Sequence, residues 1–376
     1  MTPPIPILRG LLVTVLLTVA IQFGSFSWAG TADVLNRRHA KVQVAIVLQE
    51  KITPEILKWP GVLGTAIGAN EVGQPELVVY VDRSAPVQAQ MIQSTLLQYV
   101  FIPARTELTD KFVAYKKGGV QGGSNSAISH TKSQKPPIEL GTSGGWGSDQ
   151  ANGVCCGGTL GALIQVNGTR YILSNYHVFE SDIVNGGNNL IATNGSPIIQ
   201  PGLIDIRCNP HRAQNVGTLV KLNSLPWSNV DVSLAQVDPG MVNNDGAILE
   251  IGSLSSQTLE ASLNQAVKKS GRTTGLTRSY ITGLNATISV EYENECAGGE
   301  AFTKTFTGQI LISNEGGSFL NSGDSGAVMV EDIDTTPRAV GLLFAGSSTS
   351  AAANPINEVL QFVCGKMSGA ATMVGN

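Results

Sequence analysis

From about residue 138 onward the chain repeats one pattern: a short apolar run, then Gly, Asn, Asp or Pro, then another apolar run. The runs cover 160–166, 171–174, 216–222, 230–237, 247–251, 265–269, 280–292, 306–313, 326–331 and 338–345. Short runs bounded by turn residues are strands, and about ten of them in succession build a sandwich or barrels rather than βαβ units. The 43 Gly and 17 Pro among 376 residues supply the turns such a fold needs. Only the end of the chain differs. There Asn354 as N-cap and Pro355 at the first helical position predict a C-terminal helix through about residue 363. The fold class is mainly β.

Residues 33–116 read as a small α/β unit, with a helix-like stretch over 33–58, strands over 61–67 and 76–81, and a second helical stretch over 86–98. No catalytic cluster is visible in it. Residues 117–137 lose the apolar periodicity and are rich in Gly, Ser and Lys, which predicts a flexible linker and a proteolytic nick site. At the start, the apolar run 11–23 follows the lone early cation Arg9 and precedes Ser27-Trp28-Ala29. That order predicts a cleaved secretion signal over 1–29 and a secreted or periplasmic protein. A membrane-spanning helix would need about 20 apolar residues. The expected division is signal 1–29, α/β unit 30–116, linker 117–137 and β domain 138–376.

Charged residues make up 14% of the chain and the formal net charge is -4, so no basic field exists to hold nucleic acid or an anionic membrane. No stable membrane association is expected once the signal is removed. Export permits disulfides among Cys155, Cys156, Cys208, Cys296 and Cys364. Five is odd, so at least one stays free or pairs between chains. A bridge from Cys155 or Cys156 to Cys208 is compatible with the sequence, as are buried reduced thiols. No Cys-x-x-Cys pair recurs, and no metal site is expected.

Chemistry concentrates in Asn321-Ser322-Gly323-Asp324-Ser325-Gly326-Ala327, just before the apolar run Val328-Met329-Val330. A serine flanked by glycines at a loop-to-strand junction can expose its hydroxyl while backbone N–H groups converge beside it. An ordinary Gly/Asp/Ser turn is the plain alternative. A seryl nucleophile needs a base, and the mature chain has His39, His130, His177 and His211. His177 alone follows a buried strand, Tyr171-Ile172-Leu173-Ser174; His130 falls in the linker, His39 beside Arg37 and Arg38, and His211 after Pro210. Asp231 lies inside the apolar run Asn229-Val230-Asp231-Val232-Ser233-Leu234, where a charge needs a partner. Asp205 and Asp238 are the alternatives. Gly141-Thr142-Ser143-Gly144 resembles a subtilisin-like serine segment but abuts the linker, and the Ser325 run is not Gly-x-Ser-x-Gly, so no α/β-hydrolase elbow is present.

Taken together, the runs Cys156-Gly157-Gly158-Thr159-Leu160, Leu173-Ser174-Asn175-Tyr176-His177, Val230-Asp231-Val232-Ser233-Leu234 and Gly323-Asp324-Ser325-Gly326 resemble, in order, the active-site segments of chymotrypsin-like serine proteases. Val340-Gly341-Leu342-Leu343-Phe344-Ala345-Gly346-Ser347 resembles their cleft-lining strand, and Lys269-Ser270-Gly271-Arg272-Thr273-Thr274-Gly275 resembles the branch shared by bacteria and the plant narrow-leaf proteins. The resemblance covers about residues 140–365. It implies two six-stranded β-barrels, a catalytic triad of His177, Asp231 and Ser325, an oxyanion hole from the N–H groups of Gly323 and Ser325, and no metal or organic cofactor. It implies a substrate pocket bordered by Phe319, Leu343, Phe344 and Gly346. None of these is acidic, which points to an apolar or small side chain rather than Lys or Arg. The plain reading of Leu343 and Phe344 is barrel core.

Two departures stand out: Val178 follows the histidine where the family has a cysteine, and Asn175-Tyr176 replaces a pair of alanines. In the family's zymogens the aspartate matching Asp324 pairs with a newly freed amino terminus. No activation sequence stands before the first barrel strand here, so residues 30–137 are either a propeptide cut in the linker or a permanent binding domain. The implied activity is hydrolysis of a protein or peptide substrate. A catalytically silent binding module and an esterase use the same residues.

Overall fold

The computed structural model describes residues 34–99, 102–114, 128–151, 154–180, 192–292 and 302–376. The expected signal 1–29 lies outside the described residues. The N-terminal unit contains α1 (Ala40–Ile56), β1 (Val62–Ala69), β2 (Pro75–Asp82), α2 (Pro86–Tyr99), β3 (Ala104–Thr109) and β4 (Phe112–Ala114). β1 and β2 are antiparallel, whereas β2 and β3 are parallel, which requires the crossover that α2 makes.

The first barrel is built from β5 (Thr142–Trp146), the small hairpin β6 (Gln150–Ala151) and β7 (Val154–Cys155), β8 (Gly158–Leu160), β9 (Ala162–Val166), β10 (Thr169–Ser174), α3 (Tyr176–Phe179), β11 (Pro197–Gln200), β12 (Gln214–Val220) and β13 (Ser233–Val237). Its sheet runs β9-β10-β13-β12-β11-β5-β8. Only Gly161 separates β8 from β9, so the two are halves of one bent strand that closes a six-stranded ring. A Cβ at Gly161 would lie 2.1 Å from the Gly326 carbonyl oxygen and 2.7 Å from that of Leu173. The bend thus brings the first barrel against the loop that carries Ser325. Gly161→Ala is expected to cost about 2 kcal/mol of stability, because backbone on both sides must move; thermal unfolding would measure it.

The second barrel comprises β14 (Ala266–Gly271), β15 (Gly275–Tyr292), β16 (Phe302–Ser313), β17 (Val328–Glu331), β18 (Ala339–Gly346) and β19 (Ser350–Pro355). The order β14-β17-β18-β19-β16-β15, with β15 pairing back onto β14, closes this six-stranded ring as well. Helix α4 (Ile356–Met367) and β20 (Ala371–Met373) end the chain, β20 pairing with β9. Ile356, Val359, Leu360 and Val363 of α4 pack into the first-barrel core. This is the expected double barrel with a C-terminal helix.

The N-terminal unit, expected as a separate domain, is an extension of the second barrel's sheet. β1 pairs with the far half of β15 (Gly64 opposite Ile288, Ile67 opposite Leu284). Val42, Ile52 and Ile56 of α1 and Ile92 and Leu96 of α2 share one core with Ile281, Ile312 and Phe319. The physical reason is that β15 is too long for the barrel alone, and its overhanging edge is satisfied by β1.

The expected linker also divides. Residues 117–127 lie outside the described residues, but 128–137 are tied down. His130 is wholly buried, with Nδ1 3.0 Å from the Gly141 carbonyl and Nε2 2.6 Å from Glu250 Oε2. Gln134 exchanges hydrogen bonds with Glu139 and donates to Thr142 Oγ1. Residues 247–251 form a turn rather than a strand, with Ile248 and Gly252 exchanging backbone hydrogen bonds around Glu250 at φ +63°. Strand β5 was hidden by its Gly-Gly pair, and β19 by its alanines.

Candidate active site

Helix α3 is a single turn directly after β10, and it carries His177. The run 230–232 enters β13 without ladder pairing, because the Asp231 N–H donates to Asn354 Oδ1 (2.9 Å) instead of to a neighbouring strand. The Asn175 side chain donates to the Asp231 carbonyl (2.7 Å), clamping the two segments together. His177 Nδ1 then lies 2.6 Å from Asp231 Oδ2. A carboxylate only accepts, so Nδ1 carries the proton and Nε2 presents its lone pair. Nε2 is buried and has no hydrogen-bond partner among the described residues.

Asp231 is wholly buried but well supplied with donors: Tyr176 N–H (2.7 Å), His177 N–H (3.4 Å), His177 Nδ1 and the Tyr292 hydroxyl (2.9 Å). Tyr292 was not singled out from the sequence, where it is only the last residue of a long alternating strand. Burial, and then the adjacent Asp231 charge, push its hydroxyl well above the usual tyrosine range, so it remains a donor. Its ring stacks on Phe302 at 4.9 Å and meets His177 edge-on at 6.0 Å. Asn354, expected as a helix N-cap, is the penultimate residue of β19; Pro355 takes the cap position and α4 begins at Ile356.

Ser325 sits between Gly323 and Gly326, with φ of 97° and 93°. A Cβ at Gly326 would lie 2.2 Å from Ser174 Oγ and 2.4 Å from the Thr159 carbonyl, so only glycine lets this loop reach the first barrel. Ser325 is wholly buried, and its Oγ donates to the Phe344 carbonyl (3.3 Å) rather than to His177. The N–H groups of Gly323 and Ser325 donate to no acceptor among the described residues.

Asp324 points away from this cluster, into the 269–275 run. Its carboxylate accepts from Thr273 N–H (2.8 Å), Thr274 N–H (3.1 Å), Thr274 Oγ1 (2.7 Å) and Asn321 N–H (3.0 Å). Lys269 Nζ lies 3.5 Å away, wholly buried, and also bonds Thr274 Oγ1 and the Gly275 carbonyl. Burial pulls the Lys269 ammonium below the usual lysine range, and Asp324 opposes that pull. Asp324 thus has its countercharge within the chain.

The other candidates fall elsewhere. Asp205 takes a two-pronged pairing from Arg272 (2.6 and 2.9 Å) and accepts from Ser143 Oγ, so both are absorbed in a barrel-to-barrel tie. Asp238 lies in the turn after β13, its N–H donating to the Val216 carbonyl. His211 is exposed on a short 3-10 turn.

The four expected pocket residues separate. Phe319 and Leu343 are buried in the second-barrel core. Phe344, next along β18, turns to the opposite side and joins Tyr176, Leu225, Tyr292 and Phe306, as alternation along a strand requires. Gly346 is opposite Ala351 on one edge of β18 and Val113 on the other. Cys155 and Cys208 form a disulfide, Cys156 is also disulfide-bonded, and Cys364 is free and exposed. Cys296 lies outside the described residues.

No family model matches the chain, and no curated protein matches it in sequence. Among solved structures it is similar to a glutamic acid specific serine protease (17% identity, TM-score 0.40, covering 63% of this chain and 100% of that one). It is also similar to Thermobifida fusca protease A (17%, 0.39, 64% and 99%) and to Cellulomonas bogoriensis chymotrypsin (20%, 0.37, 64% and 99%). The likeness to bacterial chymotrypsin-like serine proteases is one of fold.

Proposed function

We propose that this protein is an exported serine endopeptidase acting through His177, Asp231 and Ser325. The observation that carries the reading is the buried His177–Asp231 pair, whose geometry leaves the buried Nε2 lone pair without a partner among the described residues. In the reaction, Ser325 Oγ leaves the Phe344 carbonyl and attacks the peptide carbonyl carbon as its proton passes to His177 Nε2. The oxyanion is met by the N–H groups of Gly323 and Ser325, worth roughly 3 kcal/mol per donor. The imidazolium returns the proton to the leaving amine as the C–N bond breaks, and water then cleaves the acyl-enzyme by the same steps in reverse order. No cofactor takes part in this scheme. Export rests on the apolar run behind Arg9; among the described residues no helix is long and apolar enough to cross a membrane.

Residues 30–137 act in this reading as an intramolecular propeptide. Because Asp324 already has Lys269, release of a new amino terminus is not what would switch the enzyme on. A silent binding module is the second reading, favoured by the bond from Ser325 Oγ to Phe344. A fluorophosphonate distinguishes the two. The adduct is expected on Ser325, absent in Ser325→Ala and weakened in His177→Ala. Folded protein that takes no adduct, before or after cutting between residues 114 and 128, would sink the enzyme reading.

Tyr292→Phe tests the site without dismantling it. Asp231 loses one of the donors that hold its carboxylate against the His177 ring. We expect kcat to fall about tenfold, the size of one lost hydrogen bond to a charged group at ~1.5 kcal/mol. A kcat within about twofold of the unaltered chain would mean that Tyr292 only packs.

A further inference from the structure

The two segments that carry His177 and Asp231 lack the support of regular structure. Residues 230–232 make no ladder pairs among the described residues, and β13 first pairs at Ser233, opposite Ser174 of β10. Helix α3, which carries His177, is a single turn of four residues, too short to hold its own direction. Side chains take over both tasks. On one side Asn175, the residue before α3, donates to the Asp231 carbonyl (2.7 Å). On the other, the chain leaves α3 at Glu180, whose carboxylate is wholly buried. Its Oε1 accepts from the Ser233 hydroxyl (2.8 Å) and from Leu222 N–H (3.0 Å), and its Oε2 accepts from Asn223 N–H (3.1 Å). The next residue, Ser224, bonds both backbone polar groups of Val232: its Oγ accepts from the N–H (3.1 Å) and donates to the carbonyl (2.7 Å). Glu180 thus reaches the residues that follow Asp231 by two routes, directly at Ser233 and through the 222–224 turn at Val232.

We propose that Glu180 is a positioning residue for the His177–Asp231 pair, an ionised brace that fixes α3 and the start of β13 as one unit. This rests on the serine hydrolase reading and deepens it: the base is held from both ends of its helix, by Asn175 before it and by Glu180 after it. No bond joins Glu180 to the side chains of His177, Asp231 or Ser325 among the described residues, so it acts through the pair alone. Burial pushes its carboxyl above the usual range, and the three donors and the Lys221 ammonium pull it back. Three donors and no described acceptor for a carboxyl proton fit the ionised form. Apolar packing would hold this point without burying a charge, but it has no direction; a carboxylate accepts along set lines and so fixes where His177 Nδ1 meets Asp231.

The test uses the full chain, Glu180→Gln, Ser233→Ala, the double variant and, as a control, Ile164→Val in the first-barrel core; thermal unfolding checks that each is folded. Glu180→Gln keeps the shape but brings an NH2 group where donors converge. Two readouts are followed. The proton NMR resonance of His177 Nδ1–H reports its bond to Asp231 whether or not the chain hydrolyses anything, and fluorophosphonate labelling reports Ser325. Glu180→Gln is expected to move the resonance upfield and slow labelling about tenfold. Ser233→Ala should act in the same direction and less, and the double variant should be no slower than Glu180→Gln, because both changes break one link. Ile164→Val should lower the unfolding temperature and leave both readouts in place. A resonance unmoved in folded Glu180→Gln, or moved as far in Ile164→Val, overturns the brace. So does a moved resonance with labelling as fast as in the unaltered chain, since the brace would then position nothing the reaction uses. An unaltered chain without the resonance has no fixed pair to brace, and the proposal falls. The expected resonance shifts with no labelling in any protein support the brace and remove the hydrolase. If Glu180→Gln unfolds, an unmoved resonance in Ser233→Ala overturns the proposal.

Discussion

Asp231→Asn is expected to lower kcat by about 10⁴-fold while the protein stays folded. The carboxylate can only accept, which holds the proton on His177 Nδ1 and leaves Nε2 as the base. An amide in its place offers a donor to the ring as well. The imidazole then settles with Nδ1 accepting and Nε2 protonated, and a protonated Nε2 cannot take the Ser325 proton. Tyr176 N–H can still donate to the amide oxygen, and the Tyr292 hydroxyl, which also accepts, faces the new NH2, so the fold is conserved in the variant. Steady-state cleavage of a peptide substrate measures the rate, and fluorophosphonate labelling should fall in parallel. A loss of less than about tenfold would show that His177 does not rely on Asp231 for its tautomer.

The largest stability effect is expected at Lys269. Lys269 and Asp324 are both wholly buried, and removing one partner of such a pair costs about 3–5 kcal/mol because the other charge is left behind. Lys269→Met should therefore lower stability by that amount and loosen the loop that carries Ser325. The double variant Lys269→Met/Asp324→Asn should recover most of the loss, since no buried charge remains. The alkaline behaviour has a definite sign. Burial lowers the Lys269 pKa in the folded chain, so between that value and the ordinary one the unfolded chain binds more protons. Stability contributed at this position rises with pH across the window, and Lys269→Met should lack the rise. Denaturant unfolding of the three proteins across alkaline pH checks both statements. Equal stabilities for the single variant and the unaltered chain would show that Asp324 is held by its four hydrogen bonds alone.

The strongest signals in the sequence were those of local origin. Alternating or continuous apolar runs marked most of the barrel strands, and a lone carboxylate in an apolar run marked Asp231, because an unpaired charge there is costly. Strands made of Gly, Ser and Ala, such as β5 and β19, escaped notice; their side chains carry no pattern, and closure of the ring is what makes them strands. Phe319 and Leu343, expected at a pocket from their position along the chain, are buried in the second-barrel core, a placement set by the face of the strand each lies on. Tyr292 and Asn354 were missed as partners of Asp231 because each lies more than sixty residues away, and only the closed barrels bring them together. The linker around His130 was misjudged for a related reason: its polar residues read as solvated, yet the imidazole has an acceptor waiting at each nitrogen.

Strand β15 serves two masters, pairing with β14 and β16 in the barrel and with β1 beyond it. Cutting the chain after residue 114 would therefore not separate the pieces, which would travel together through a sizing column and part only on a denaturing gel. Complete departure of the N-terminal unit would bare the backbone of β15 from about Leu284 to Ile288, an apolar strand edge open to any chain that can pair with it. A free second barrel would thus be prone to self-association, and the N-terminal unit is what keeps this edge from aggregating.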